Sequence, residues 1–240
     1  PLDFFHDRFL LEAGSCAYPH RHCLEGNDGR GLNVAVLSRR QTINVKSHAE
    51  LTGADLGMMN LPARLRDHPI FRRDCLEVEF DTFTLFVCHF KAPDPYVAKA
   101  HVVRKAEARA VRKIVEARFA TPERERWIIL GDFNEPAWVD SESSSALAPL
   151  RSGFAIDLLE RLAPGTDWTY EVPDTHLHSR PDRIFLSPRL ATEYPAVRPQ
   201  IIRSGMKPPQ HTAGHDVASG LNIDPHASDH AIVYAEFPGL

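Results

Sequence analysis

The chain has 240 residues, a length that suits one large domain or at most two small ones. Hydrophobic residues make up 43% and charged residues 25%, which is the composition of a globular protein with a sizeable core. The formal net charge of −4 excludes nucleic-acid binding by bulk positive charge, and no apolar run reaches the ~20 residues of a membrane-spanning helix.

The first half of the chain contains signals for a short helix, a strand and a hairpin. Amphipathic spacing predicts a helix over residues 3–12. Residues 32–38 follow a glycine-rich turn and are typical of a strand buried on at least one side. Residues 75–80 alternate apolar and acidic side chains, which predicts a half-buried strand paired with residues 83–90 in a hairpin. The helix side chains expected to face the core are Phe5, Phe9 and Leu10.

The second half alternates a long helix with short strands. An Ala- and Arg-rich helix is predicted from Tyr96 to Phe119, with its apolar residues on one stripe. Short apolar strands are predicted at 127–130, 183–187 and 231–237. Residues 195–227 hold many Pro and His residues and are typical of a long loop. The mixture predicts one α/β domain with layered sheets.

The strongest local motif is Gly131-Asp-Phe-Asn134, which directly follows the apolar strand at 127–130. Such a strand end delivers a carboxylate to the rim of a sheet, and side chains at i and i+2 point to the same side. A carboxylate beside an amide, as in Asp132 and Asn134, suits the orientation of a water molecule and the binding of a phosphoryl oxygen. The alternative is a strand-terminal Asx turn, which is common in proteins of every function.

Three further segments place acidic or imidazole groups near strand ends. Asp229 and His230 precede the last strand, where they offer an oxygen ligand for Mg²⁺ beside an imidazole. Asp182 leads into the strand at 183–187, where it could accept the ring N–H of a distant histidine. His89 alternates with apolar residues and could face a cleft. Each segment alone is more often an ordinary turn or a structural histidine, but their joint occurrence favours one shared site.

The order of these motifs resembles the endonuclease/exonuclease/phosphatase superfamily, which includes deoxyribonuclease I, abasic-site endonucleases, neutral sphingomyelinases and inositol polyphosphate 5-phosphatases. The resemblance rests on a strand-borne His-x-Lys, then Gly-Asp-Phe-Asn, Arg-x-Asp-x-x-x-x-Ser, and Ser-Asp-His before the last strand. It extends over nearly the whole chain and implies a single domain over residues 1–240. The implied fold is a four-layered α/β/β/α sandwich with the site at one end of two packed sheets.

The resemblance also implies a role for each motif residue in a metal-dependent hydrolysis of phosphate esters. Asp229 would be the metal ligand, and His230 the catalytic imidazole paired with Asp182. Asp132 would orient or deprotonate the attacking water, and whether Asp132 or His230 is the base stays open. The implied ion is Mg²⁺, with Mn²⁺ or Ca²⁺ as alternatives. The implied phosphate contacts are Asn134 and His89.

The family also places an Asn and a metal-binding Glu on its first two strands, upstream of the predicted helix at 3–12. Because the sequence begins at Pro1, we expect an N-terminally incomplete domain that lacks this Glu. If the chain alone were active, another acid, for example Glu25 or Asp28, would have to supply the missing ligand.

Two alternatives to this interpretation remain. A calcineurin-like metallophosphoesterase also uses Gly-Asp after a strand, but its early Asp-x-His and its Gly-Asn-His segment do not occur in this sequence. A non-catalytic binding domain would keep the same fold and lack the metal site. No obligate protein partner is evident from the sequence, and the cysteines, which form no Cys-x-x-Cys pair, favour a reducing, cytoplasmic setting.

The substrate is open among a small phosphoester, a lipid headgroup and nucleic acid. The negative net charge favours the first two over long DNA. A local basic patch would be the surface for nucleic acid, although a solvated charged face is the more ordinary interpretation. The residues concerned are Arg64, Arg66, Arg72 and Arg73.

Overall fold

The structure is a computed structural model that describes residues 2–93, 99–137, 139, 144–151, 153–173, 175–207 and 228–240. The strands are β1 (His20–Cys23), β2 (Ala35–Ser38), β3 (Asn44–Lys46), β4 (Cys75–Glu79), β5 (Thr84–His89), β6 (Trp127–Asp132), β7 (Ile156–Asp157), β8 (Tyr170–Val172), β9 (Leu177–Ser179), β10 (Asp182–Leu186), β11 (Gln200–Ile202) and β12 (Ile232–Tyr234). The α-helices are α1 (Leu2–Phe5), α2 (Ala63–Arg66), α3 (Lys99–Arg118), α4 (Ala148–Arg151) and α5 (Pro188–Glu193). A π-helical segment (His6–Leu11) continues α1, and 3₁₀ turns span Pro122–Arg124 and Leu158–Arg161.

A six-stranded sheet forms the centre of the fold, in the order β3-β4-β5-β6-β10-β7. The β5–β6 pair is parallel, and its connection contains α3; the other pairs are antiparallel. A parallel pair requires such a crossover because the chain must return to the end of the sheet from which it started. The predicted hairpin is confirmed as β4 and β5, with Cys75 opposite Cys88.

Both faces of this sheet are covered. On one face, the pairs β1–β2 and β11–β12 form a second layer, in which Val36 joins a buried cluster with Val78 of β4, and Val233 packs on a cluster that contains Ile184 of β10. On the other face, α3 contributes Ile114 and other side chains to the largest buried cluster. The sequence prediction of an α/β sandwich is confirmed. No helix in the described ranges is long and apolar enough to cross a membrane.

The N-terminal helix exposes two of the side chains predicted to face the core. Phe5 and Phe9 are 45% and 58% exposed, and their rings contact each other with centroids 5.8 Å apart. Leu10 is half-buried. The amphipathic pattern identifies an apolar face, but whether that face is covered depends on tertiary neighbours that the pattern does not specify.

Two strands also differ from their predictions. β4 is buried on both faces rather than half-buried, because Glu77 is paired in the interior with His48 at 2.8 Å and with Arg118 at 3.1 Å. The predicted strand at 32–38 begins only at Ala35, and Leu32 is largely exposed. β11 lies inside the predicted loop 195–227. Residues 208–227 of that loop lie outside the described residues. The predicted helix start at Tyr96 also lies outside them.

β6 approaches β5 very closely at Gly131. This residue has a φ of 136°, and a Cβ atom added to it would lie 1.9 Å from the carbonyl oxygen of Cys88, its partner in the parallel register. No side chain fits in that space, and the positive φ is strained for any residue other than glycine. The glycine of the Gly-Asp-Phe-Asn motif is therefore a requirement of strand packing.

We predict that Gly131→Ala destabilises the protein by on the order of 3 kcal/mol or more, because both backbone strain and overpacking are introduced. The matched control is Gly29→Ala, since Gly29 has an ordinary φ and open space around its Cα. Urea denaturation of the two variants measures the difference. Equal unfolding midpoints would show that β5 and β6 are not packed as described.

Candidate active site

Three adjacent strands bring predicted site residues to one edge of the central sheet. The parallel β5–β6 register places His89 opposite Asp132, and the antiparallel β6–β10 register places Asp132 opposite Asp182. Residues directly opposite each other on neighbouring strands project to the same face of a sheet. Side chains from distant parts of the sequence therefore become neighbours at the carboxyl ends of β5 and β6 and the amino end of β10.

Asp182 links this edge to the segment before β12. Its Oδ2 atom lies 2.8 Å from Nδ1 of His230, which confirms the hydrogen bond predicted from the sequence. The hydroxyl of Thr169 donates to the same oxygen at 2.6 Å, and the Tyr170 ring lies 4.9 Å from the His230 ring. Sequence reasoning missed Thr169 and Tyr170, because the β8–β9 hairpin that positions them has no chemical signature of its own. The orientation of the imidazole is thus fixed by two neighbours.

The electrostatic environment favours the protonated form of His230. Burial opposes protonation, but the hydrogen bond and charge of Asp182, with the charges of Asp132 and Asp229, outweigh it and raise the pKa to about 8. In the metal-free protein, the imidazole is therefore positively charged at neutral pH. Because Nδ1 contacts Asp182, Nε2 is the nitrogen directed away from that carboxylate.

The pKa values of Asp132 and His89 are shifted so that both side chains favour their neutral forms, in contrast to His230. Burial and the charge of Asp182 raise the pKa of Asp132 to about 6. Burial, followed by the charges of Arg73 and His230, lowers the pKa of His89 to about 4. Oδ2 of Asp132 lies 3.4 Å from Nε2 of His89. At pH 7, an ionised Asp132 thus lies beside a neutral imidazole.

Asn134 organises the end of β6. Its φ of 52° is in the left-handed region, which Asn tolerates better than most residues. Its backbone N–H donates to Oδ1 of Asp132 at 2.8 Å, and its side-chain amide donates to the carbonyl of Phe90 at 3.0 Å and to Oδ2 of Asp132 at 3.1 Å. These bonds hold the Asp132 carboxylate in place. The phosphate contact implied for Asn134 stays a prediction.

A buried arginine lies behind His89. Arg73 is 3% exposed, so its assignment to a solvated face is wrong. Its Nη1 donates to the carbonyl of Phe90 at 2.8 Å, and its Nε lies 3.0 Å from Oδ2 of Asp28. Hydrogen bonds from Arg30 and the charge of Arg73 hold the pKa of Asp28 well below its usual range. Because two arginines compensate Asp28, it is a weak candidate for the additional metal ligand.

A group of potential metal ligands lies within the described residues. One ligand atom each from Asp132, Asp182 and His230 lies within 4.8 Å of the others, and all three residues are half-buried. Hard oxygen ligands of this kind suit a divalent cation. Asp229 is exposed beside His230, and its charge acts after burial to raise the pKa of Tyr170. The metal-binding role of Asp229 stays a prediction.

Several solved structures share this fold. The 3′-5′ exonuclease NExo from Neisseria meningitidis is 19% identical with a TM-score of 0.56, and the match covers 95% of this chain and 81% of that chain. Beta toxin from Staphylococcus aureus is 14% identical with a TM-score of 0.57, and the match covers 96% of this chain and 81% of that chain. An AP endonuclease from Archaeoglobus fulgidus is 16% identical with a TM-score of 0.51, and the match covers 91% of this chain and 79% of that chain. At these identities the likeness establishes the fold alone.

Sequence comparison identifies the family. A search of curated proteins finds no match. The profile of the Endonuclease/Exonuclease/phosphatase family, however, matches residues 3–230, a range that includes every predicted site residue. This match excludes the calcineurin-like alternative. The chain belongs to the endonuclease/exonuclease/phosphatase family.

Proposed function

We propose that the protein is a divalent-metal-dependent hydrolase of phosphate esters. The observation that carries the proposal is the strand register that places His89, Asp132 and Asp182 side by side, with His230 bonded to Asp182. Such a cluster combines a base, an acid and metal-binding oxygens at one edge of the sheet. The activities for which the family is named all break phosphate ester bonds.

Asp132 is the general base in this proposal. A base is most effective when its pKa lies close to the working pH, because it is then both ionised and able to hold a proton. The pKa of about 6 gives Asp132 this property, and the bonds from Asn134 fix its direction. His230, with a pKa of about 8, is mostly protonated at neutral pH, which favours Asp132 over His230 as the base.

The protonated His230 instead acts on the phosphate. Its positive charge and its Nε2–H suit a phosphoryl oxygen or the departing alkoxide, and Asp182 stabilises that charge from behind. His89 is neutral at the same pH and can donate one hydrogen bond to the ester without adding charge. Water attacks the phosphorus, its proton passes to Asp132, and the alkoxide leaves from the opposite side of the phosphorus.

Asp182 and Asp229 would hold a Mg²⁺ ion, and Mn²⁺ or Ca²⁺ are alternatives, while Asp132 stays free to accept a proton. The protonated His230 would repel a cation, so it remains available to the phosphate. A bound divalent ion supplies Lewis acidity that neutralises the charge developing on the phosphoryl oxygens.

We predict that Asp132→Ala, Asp229→Ala and His230→Ala each lower turnover of a phosphodiester by at least ~10², since each removes a base, a ligand or a charge-stabilising group. Turnover should also stop in EDTA and return with Mg²⁺. Bis(p-nitrophenyl) phosphate is a suitable probe for both measurements. Unchanged turnover in His230→Ala, with the fold verified by circular dichroism, would contradict the catalytic assignment.

The matched control for these variants is Glu123→Ala. Glu123 is also an exposed acid, but it precedes β6 and so lies at the end of that strand away from the site. Its removal changes the net charge by the same amount as the Asp132 and Asp229 substitutions. Turnover of the control should equal that of the wild type.

We predict that Asp182→Asn lowers the pKa of His230 from its value of about 8. The substitution removes the hydrogen bond and charge of Asp182, which raise this pKa most, while the burial that lowers it and the charges of Asp132 and Asp229 remain. At pH 7 the charged fraction of the imidazole should therefore fall. Imidazole NMR titrations of the metal-free protein measure the shift.

Thr169→Val is the control for this titration. It removes only a neutral donor to Asp182, so the carboxylate charge stays and the pKa of His230 should stay close to its wild-type value. A His230 pKa that is the same in Asp182→Asn as in the wild type would show that the carboxylate does not support the imidazolium.

We expect weak, salt-sensitive binding to duplex DNA, because a net charge of −4 provides little affinity through counterion release. Fluorescence anisotropy with a labelled duplex at two salt concentrations measures it. Tight binding that persists at physiological salt would overturn the preference for small phosphoesters.

A further inference from the structure

A column of three stacked planar groups stands beside the site. The rings of Trp168 and His178 are nearly parallel, at 6°, with centroids 4.1 Å apart. The guanidinium of Arg203 lies 4.1 Å from the same indole centroid. Two planar groups cannot occupy one face of a ring at that distance, so they cover opposite faces of Trp168. The column ends at His178, whose side chain is 45% exposed.

The column is rigidly connected to the site. Trp168 directly precedes Thr169, whose hydroxyl bonds Asp182 and whose backbone N–H donates to the carbonyl of Ser179 at 2.9 Å. Ala231, the neighbour of His230, donates to the carbonyl of Thr169 at 2.8 Å. Arg203 is fixed by donating to the carbonyls of Thr166 and Trp168, both at 2.7 Å. The exposed face of His178 is therefore held in a constant position relative to Asp182.

A cavity of about 490 Å³ opens at this column, and its lining includes Trp168, His178 and Arg180. That volume falls within the roughly 300–1,000 Å³ of small-molecule sites. The lining also includes Ser179, whose carbonyl accepts the backbone N–H of Thr169, and the hydroxyl of Thr169 in turn bonds Asp182. The cavity is thus connected to Asp182 through Thr169.

The charges of the lining restrict what this cavity can accept. Its arginines are paired with carboxylates, so they offer no unpaired positive charge for a headgroup with several phosphates. The pairs are Arg180 with Asp167 at 2.5 Å, Arg183 with Asp157 at 2.5 Å, and Arg151 with Glu160. These ionic side chains are equally unsuited to an acyl chain.

The His178 ring and the polar side chains of the lining fit a planar ligand group with polar edges. Trp168 covers one face of the His178 ring, and because the side chain is 45% exposed, the other face can stack as aromatic side chains do on nucleobases. The polar lining, which includes Glu135, Asp167 and Arg180, provides donors and acceptors for a ring edge. A nucleobase has both the flat face and the polar edge that these groups match.

We infer that the cavity binds the nucleobase attached to the reacting phosphate, stacked on the exposed face of His178, and that the substrates are nucleotide esters. This inference rests on the proposed function, because it assumes that the phosphate lies at Asp132 and His230. It selects nucleotide esters over the lipid headgroups that the sequence left open. It also agrees with weak duplex binding, since a paired base is not free to enter the cavity.

The test compares adenosine 5′-monophosphate with ribose 5-phosphate, which differ only by the base. Titration calorimetry or NMR of the protein with each ligand, with and without Mg²⁺, gives the two dissociation constants. Stacking of one base predicts that the nucleotide binds at least about fivefold more tightly. Equal dissociation constants for the nucleotide and the sugar phosphate would overturn the inference.

Substitutions at His178 locate the stacking surface. His178→Ala should abolish the preference for the nucleotide, whereas His178→Phe should retain it because a flat ring is restored. His176→Asn is the control, since His176 is an exposed histidine of the same hairpin and Asn tolerates its φ of 54°. A preference that survives in His178→Ala would overturn the assignment of His178.

Failure of this inference is distinguishable from failure of the proposed function. Bis(p-nitrophenyl) phosphate turnover depends on Asp132 and His230 under the proposed function, whether or not a base is bound. If this probe is hydrolysed while adenosine 5′-monophosphate and ribose 5-phosphate bind equally, only the proposed nucleobase site is overturned. Absence of turnover, with the nucleotide still preferred through His178, would overturn hydrolysis and leave the base site standing.

Discussion

The hydrogen-bonding register of β5, β6 and β10 is the constraint on which the site depends. It places His89, Asp132 and Asp182 side by side at one edge of the central sheet. Because side-chain direction alternates along a strand, a slip of one residue would turn an acid toward the core and an apolar side chain toward the cleft. Gly131 resists such a slip, since only glycine fits against the carbonyl of Cys88. The packing of the sheet and the chemistry of the site therefore depend on the same pairing.

Close packing of these groups also sets their charges. Two carboxylates at neighbouring strand ends disfavour each other's ionisation, which contributes after burial to the raised pKa of Asp132. The same carboxylates favour the imidazolium of His230, while burial and Arg73 keep His89 neutral. Two histidines at the same edge of the sheet thereby carry different charges at neutral pH. This division supplies one cation for the phosphate and leaves a neutral donor beside the base.

Much of this site could be predicted because its residues flank recognisable apolar runs. Asp132 ends one such run and Asp182 begins another, and the resemblance to the family implied the pairing of Asp182 with His230. The sequence could not show that Thr169 bonds Asp182, because that contact depends on the register of a short hairpin. Nor could it show that Arg73 is buried, since its partner Asp28 is distant in the chain and pairing alone makes an interior arginine tolerable.

Hydrolysis in ¹⁸O-enriched water is the most direct test of water attack on phosphorus at this site. With a nucleotide diester as substrate, the phosphomonoester product should carry one ¹⁸O atom, because the attacking oxygen comes from solvent and the P–O bond breaks. Mass spectrometry of the two products locates the label. Label in the alcohol would indicate cleavage of the C–O bond instead. Tight binding of the ester with no labelled product would show that the domain binds phosphate esters without hydrolysing them.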